Sequence, residues 1–422
     1  MFCKKIELQG LLPSPRAAHS ANIIGRKLFI FGGWNGFSAF NDVFAMDLET
    51  YTWSEILSTG TLPIARNNHR TATYKNKIYV HGGHDGNNWL DDLFVFDTQK
   101  TNWYKIPISN AYKPSARACH SLNRIKKMLY MFGGFNGITS FNDIEVFDIA
   151  TSTWRQLDCV KGQPPIARDA HAMVSDKDVL YLFGGHDGSR HLNDLHQFDT
   201  STSTWTEIKY WDKLPNGLRG HSANCIGNSL YIFGGYDGEM RSNELICFNL
   251  ESKKWYLPVE STTSKSLGFM NGRQRHSTNT YEANQLIIFG GFDGKTMLND
   301  VYIIDISLLE ENVIKDMVSK RYKNNFKNKL FNKKEFSDLK IIVEKKEIFA
   351  HKNILAAQCE KFYAMFTSEM CEEKVSEIEI EDYSYEVVLA MLEYFYCANI
   401  EIDRMSCKNL IELLRKIMGF YL

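Results

Sequence analysis

The sequence predicts two domains of different class: a six-bladed all-β propeller over residues 1–306 and an α/β domain over residues 336–402. Three observations carry this. Six Gly-Gly pairs recur about every 50 residues, at Gly32-Gly33, Gly82-Gly83, Gly133-Gly134, Gly184-Gly185, Gly234-Gly235 and Gly290-Gly291. Such a period is that of one four-stranded propeller blade. Around each pair the same signals come in the same order: an Arg/His element, an apolar strand, the glycines, a turn, a further strand and a Trp. After Asp305 this punctuation stops and helical apolar spacing begins.

The elements of one repeat follow from residue chemistry. "KLFIFGG", "KIYVHGG", "MLYMFGG" and their counterparts are short β-branched and aromatic runs bounded by glycine, which reads as buried strand. The glycine pair ends the strand where positive φ and close backbone approach are needed. Asn35-Gly36, Asp85-Gly86, Asn136-Gly137, Asp187-Gly188, Asp237-Gly238 and Asp293-Gly294 are turn signals. Trp53, Trp103, Trp154, Trp205 and Trp255 each open an outer strand, where a large ring fills the wedge between blades.

Six glycine pairs have only five such Trp strands after them. Residues 2–20 align with 53–70, with Phe2 or Cys3 at the Trp position. Residues 2–8 are therefore expected to add the outer strand of the last blade, which removes an open sheet edge.

Arg16-His19, Arg66-His69, Arg117-His120, Arg168-His171 and Arg273-His276 share one spacing, and the fifth repeat reads as a shorter Arg219-Gly-His221. One histidine per blade cannot converge on a single metal ion, so a structural role is expected. Asp42, Asp92, Asp143, Asp194, Glu244 and Asp300 recur at a fixed offset and are expected to pair with the arginines, holding the blades in register.

The residues just after each glycine pair vary: Trp34, His84, Phe135, His186, Tyr236 and Phe292. Large rings around one mouth have the composition of a binding hot spot. The residues before each motif histidine, including Asn68 and Arg275, are expected on the same rim. They supply few polar groups, which favours an apolar or aromatic feature on the partner.

Composition narrows the class further. The 422-residue chain has a net charge of −1, which argues against nucleic-acid binding through a basic field. No apolar run is long enough to span a membrane. Its nine cysteines form no C-x-x-C pair, which fits reduced thiols in the cytoplasm, with nuclear or endomembrane-associated pools compatible. No G-x-S-x-G, H-E-x-x-H or P-loop occurs, so neither an enzyme nor a cofactor is expected. His81, His191 and His196 lie outside the repeat and have no assignable metal partners.

Residues 307–335 read as a helical, Lys/Asn-rich connector with an apolar stripe over 308–318. In 336–402, "DLKIIVEKKEIFAH" reads as a hairpin with a Lys-Lys turn. "KNILAAQCEKFYAMF" reads as a helix with Ile354, Leu355, Cys359, Phe362, Met365 and Phe366 on one side. "SEIEIED" reads as a strand and "SYEVVLAMLEYFYCA" as an apolar helix.

The Gly-Gly and Arg-x-x-His repeats resemble kelch propellers. Asp338, His351, Leu355-Ala356-Ala357, Met365-Phe366 and residues 392–400 resemble a BTB/POZ domain. Kelch before BTB resembles the leucine-zipper-like regulators and the kelch-BTB adaptors of cullin-RING ubiquitin ligases. The resemblance implies that the residues after the glycine pairs line a substrate-protein face, and that the BTB part dimerises. It also implies that Met370 and Glu372, which match a hydrophobic-x-Glu element, contact a cullin. Small GTPases are the substrate class it suggests. Residues 403–422 resemble the start of a truncated BACK or 3-box segment, a departure that favours the alternative of a non-catalytic scaffold for cytoskeletal or signalling partners.

Overall fold

In the computed structural model the described residues are 3–157, 160–210, 215–257, 270–282, 284–307, 329–367 and 376–397. The chain divides into two compact units, Met1–Glu310 and Glu311–Leu422.

The first unit contains six sheets of four or five strands. In the first blade Ser20–Ile24, Lys27–Phe31, Val43–Asp47 and Thr52–Glu55 pair antiparallel in chain order. Blades starting at Arg70, Ser121, Ala172, Ser222 and Ser277 repeat the plan. The sixth takes its fourth strand from the other end of the chain: Cys3–Lys5 pairs antiparallel with Met297–Asp305, Cys3 opposite Ile304.

The central strands lack polar alternation because both faces of each sheet are covered. Leu28 and Ile30 pack toward the sixth blade with Ile287, Phe289 and Val301. Phe29 and Phe31, pointing the other way, pack toward the second blade with Ile78, Val80 and Phe94. A strand buried on both faces reads as a continuous apolar run. Four more clusters of this kind fill the remaining wedges, so the core is a closed circuit of six interblade layers.

The tryptophans lie in those wedges. Trp103 meets Phe31 at 4.8 Å, Trp53 meets Phe289 at 5.3 Å, Trp154 meets His81 at 5.2 Å and Trp205 meets Phe132 at 5.1 Å, each partner belonging to the preceding blade. Cys3 stands at the Trp position of the sixth blade and is buried beside Phe233. Burial pushes its thiol up to about 12.

In the second unit, Lys346–Ala350, Leu339–Val343 and Glu377–Glu379 form a three-stranded sheet against helices Lys352–Gln358, Glu360–Thr367 and Tyr385–Cys397. Leu339, Ile341, Ile348, Leu355, Val388 and Leu392 form its core. Two sequence expectations are corrected here. The hairpin turn is Glu344-Lys345, both at positive φ, and Lys346 already belongs to the second strand. Positive φ at both central residues matches the strand twist of a two-residue hairpin. The single expected helix over 352–366 is two helices, broken at Cys359 in extended conformation. Asp338 accepts from the Lys352 amide at 2.8 Å, and the Tyr396 hydroxyl contacts the His351 amide at 2.8 Å and its Nδ1 at 2.7 Å. Phe395 and Tyr396 are core residues of this unit.

Residues 308–318, Met370, Glu372 and the segment 403–422 lie outside the described residues. No helix among the described residues is long and apolar enough to cross a membrane.

Candidate protein-binding face of the propeller

The glycine pairs position the face. Gly32 has φ 63°, and a Cβ there would lie 2.7 Å from the Arg66 carbonyl oxygen and 2.9 Å from the His69 ring. Only glycine lets the next blade's Arg/His segment lie this close. Beyond the pair, Trp34 exchanges backbone hydrogen bonds with Ala17 at 2.8 and 3.0 Å. Asn35 Oδ1 then accepts from the amides of Phe37 and Ser38, both at 2.8 Å. The Trp34 backbone is thereby held while its ring stays half-buried.

The residues before the motif histidines form a ring through their backbones. Asn68 donates to Ala18, Cys119 to Asn68, Ala170 to Cys119, Gly220 to Ala170, Arg275 to Gly220 and Ala18 to Arg275, all between 2.7 and 2.9 Å. Each has φ between 51° and 65°. This closed circuit surrounds the propeller axis. Ala18 and Arg275 border two concavities: a mouth of about 490 Å³ and an axial channel of about 310 Å³.

Four sequence-predicted residues meet in the mouth: Trp34, His84, Phe292 and Arg275. Phe135, His186 and Tyr236 continue the rim through residues that the sequence reading did not single out for it. Trp89 bridges His84 and Phe135 at 4.7 and 6.2 Å, and His191 bridges His186 and Tyr236 at 5.0 and 5.6 Å. Arg241 lies over both Tyr236 and Phe292 at 4.9 Å, and Arg219 over Tyr236 at 5.4 Å. Asn68 borders the axial channel, whereas its neighbour Asn67 borders the mouth. The rim read as poor in polar groups thus carries Arg219, Arg241 and Arg275. An aromatic residue or histidine at the sixth position after the second glycine of the pair, as Trp89 and His191 are, is the sequence signal that could have found the bridging rings.

The motif histidines are structural. His69 packs edge-on to Phe31 at 5.1 Å and contacts Ser20 Oγ at 2.9 Å, both in the preceding blade. His19 repeats this with Phe289 and Ser277, and His276 with Phe233 and Ser222. Burial, with the Arg16 and Arg70 charges added, pushes His19 down to about 3. Burial pushes His221 down to about 4, and His69, His120, His171 and His276 well below their usual value. These rings are neutral in the fold. Among the described residues no cluster of His, Cys, Asp or Glu is arranged to hold a metal ion.

The motif arginines clamp one blade to the next. The Arg66 carbonyl accepts from the Gly33 amide of the first blade at 2.9 Å. Its guanidinium grips Asp92 of the second blade at 2.6 and 3.1 Å and the Gly82 carbonyl at 3.0 Å. Arg16–Asp42, Arg117–Asp143, Arg168–Asp194 and Arg273–Asp300 repeat this bidentate pair. The fifth repeat departs from the sequence reading. Leu218, not Arg219, stands at the arginine position: its carbonyl accepts from Gly185 and its amide donates to Leu192, as the arginines' do. Arg219 turns onto the Tyr236 ring, and among the described residues Glu244 pairs with no arginine.

A closed β-propeller joined to a small α/β domain is the architecture of a protein-interaction adaptor. The chain belongs to the kelch-repeat family: the model described as the KLHDC2/KLHL20/DRC7 Kelch-repeats domain matches residues 1–134 and 119–317, and the BTB/POZ domain model matches residues 327–420. Both domains are typically non-catalytic interaction domains. Over about half its length the chain is 28% identical to Kelch domain-containing protein 3 of Rattus norvegicus, covering 45% of that protein. It is 24% identical to the leucine-zipper-like transcriptional regulator 1 homolog of Drosophila melanogaster over 51% of this chain and 24% of the relative. It is also 32% identical to the Rab9 effector protein with kelch motifs of Rattus norvegicus, over 43% of this chain and 52% of that one. The chain spans less than half the length of the first two of these relatives.

Proposed function

We propose that the chain is the substrate-binding adaptor of a cullin-RING ubiquitin ligase. The propeller mouth captures a protein, and the BTB domain dimerises and docks on a cullin through Met370 and Glu372. The observation that carries the capture half is the cluster of half-buried rings and arginines on this face: Trp34, His84, Phe292 and Arg275 line the mouth, Trp89 joins His84 to Phe135, and Arg241 lies over Tyr236 and Phe292. Rings that are held by their backbones yet not fully buried are pre-ordered anchors, and Tyr, Trp and Arg dominate binding energy at interfaces. The arginines extend the partner's chemistry: an apolar or aromatic anchor flanked by carboxylates fits this rim. The likeness to a protein whose name describes it as a Rab9 effector supports a small GTPase as the substrate class. The site of action under this reading is the cytoplasm.

The cullin half rests on the BTB match and on the sequence of residues 370–372. Such an adaptor does no chemistry; it raises the effective concentration of substrate near a charged ubiquitin carrier. Co-purification with a cullin tests it. Met370→Ala with Glu372→Ala should lower cullin affinity roughly 30-fold, the effect of losing about 2 kcal/mol at a central anchor. Dimerisation, read by light scattering, and substrate capture should persist. A wild-type chain that captures substrate and dimerises but binds no cullin is a scaffold instead.

A further inference from the structure

The fifth blade holds a vacated site. In the other five repeats an arginine fills the space beside the third strand, between a carboxylate and the carbonyl of the first paired glycine. Leu218 makes the arginine's backbone bonds but ends in an isobutyl group. The acceptors remain: Glu244 stands at the aspartate position and Gly234 at the glycine position. Glu244 is exposed and has no ion pair among the described residues. A cavity of about 620 Å³ lies there, lined by Leu218, Ser242, Glu244, Ile246 and Trp255. Trp255 is half-buried, whereas Trp53, Trp103, Trp154 and Trp205 are 1–2% exposed.

We propose that this cavity accepts an arginine side chain of a bound protein partner, which supplies in trans the guanidinium that the other repeats carry in cis. Leu218, Ile246 and Trp255 suit an apolar stem, and the two carboxylate oxygens of Glu244 suit a planar fork of donors. Lysine ends in a compact ammonium and cannot span two such acceptors as a fork. The charge around the cavity agrees. Among the described residues Asp237 and Glu244 line it against one cation, Arg241, whose guanidinium is turned onto the Tyr236 and Phe292 rings. Asp237 and Arg241 belong to the turn that follows Tyr236, so the cavity adjoins the mouth and one ligand can reach both. This inference goes beyond the adaptor reading and does not depend on a cullin.

The test uses the full chain and three probes: N-acetyl-arginine methylamide, its lysine counterpart and its uncharged citrulline counterpart, titrated by ligand-detected NMR. A lone side chain should bind saturably in about the millimolar range. The lysine and citrulline probes should bind at least about tenfold more weakly, and Glu244→Gln should weaken the arginine probe by a similar factor while leaving the melting curve unchanged. Leu218→Arg should refill the cavity, abolish probe binding and raise the melting temperature. Absence of saturable arginine binding, equal binding of citrulline, or arginine binding indifferent to Glu244→Gln would each overturn the proposal. Because Glu244→Gln sits on the exposed side of the cavity, its result decides the matter even if Leu218→Arg folds poorly.

Discussion

The amide of Arg275 donates to the carbonyl of Gly220 at 2.7 Å, and the carbonyl of Arg275 accepts from the amide of Ala18 at 2.8 Å. With these two bonds the sixth repeat joins the fifth to the first, and a circuit of backbone hydrogen bonds closes around the axis. The propeller is therefore closed twice: at the centre by this circuit and at the periphery by Cys3–Lys5 on the last blade. The two closures are far apart in sequence from the strands they join, so each depends on the whole ring having formed.

Removing residues 1–10 should strip the outer strand from the sixth blade and uncover the edge of Met297–Asp305, together with the wedge that Cys3 and Ile6 fill. A markedly lower melting temperature and a rise in aggregation are expected. An unchanged melting temperature would mean that the strand adds nothing to closure.

Asp92→Ala should be among the most damaging single changes in the propeller. It leaves the fully buried Arg66 guanidinium, beside the Phe94 ring, with the Gly82 and Ile64 carbonyls as its hydrogen-bond partners among the described residues. Losing one member of a buried pair costs about 3–5 kcal/mol. Glu244→Ala, at the equivalent place in the fifth blade, should cost almost nothing, because no buried arginine depends on it. Urea midpoints of the two variants make the comparison directly.

Stability should fall in mild acid. The motif histidines stay neutral in the fold, with His19 down to about 3 and His221 to about 4, whereas in the unfolded chain they take up protons near 6.5. The unfolded state therefore binds more protons below pH 6.5, and stability present above that pH is lost as pH falls toward 4. Each such ring adds about 1 kcal/mol per pH unit to the slope. Glu145 acts in the opposite sense: burial raises its carboxyl to about 7, so its contribution is lost as pH rises from about 4.5 to 7. Six histidine rings outweigh one carboxyl, and urea midpoints at pH 7.5 and 5.5 should show the net loss.

Trp34→Ala with Tyr236→Ala should abolish capture of the protein partner and leave the circular dichroism spectrum intact. Both rings are half-buried, and both residues hold the blade through backbone bonds that alanine keeps. Loss of folding would place these rings in the core.

Much of the fold was legible because a propeller writes each structural need six times. Gly-Gly, Asp-Gly and Trp answer local demands on φ, turn geometry and wedge volume, and repetition in register separates them from chance. The mismatch of six glycine pairs with five tryptophans even pointed to the strand that Cys3 supplies. In the second unit, apolar spacing located the helices but not the break at Cys359, because the burial pattern on either side is continuous.

What the sequence by itself determined was the set of residues that every blade must own: the glycines, the histidines, the Arg–Asp partners and the ring positions after the glycines. Only the tertiary structure decided which of these meet. It drew Trp34, His84, Phe292 and Arg275 into one mouth, set Trp89, His191 and Arg241, which share the sixth position after the glycine pair, against the rim rings, and showed that Leu218 rather than Arg219 fills the fifth arginine place. The physical reason is that repeat chemistry satisfies backbone and wedge within a blade and its neighbour, whereas a site on the axis is assembled from all six blades at once. Nothing local in the sequence encodes that convergence.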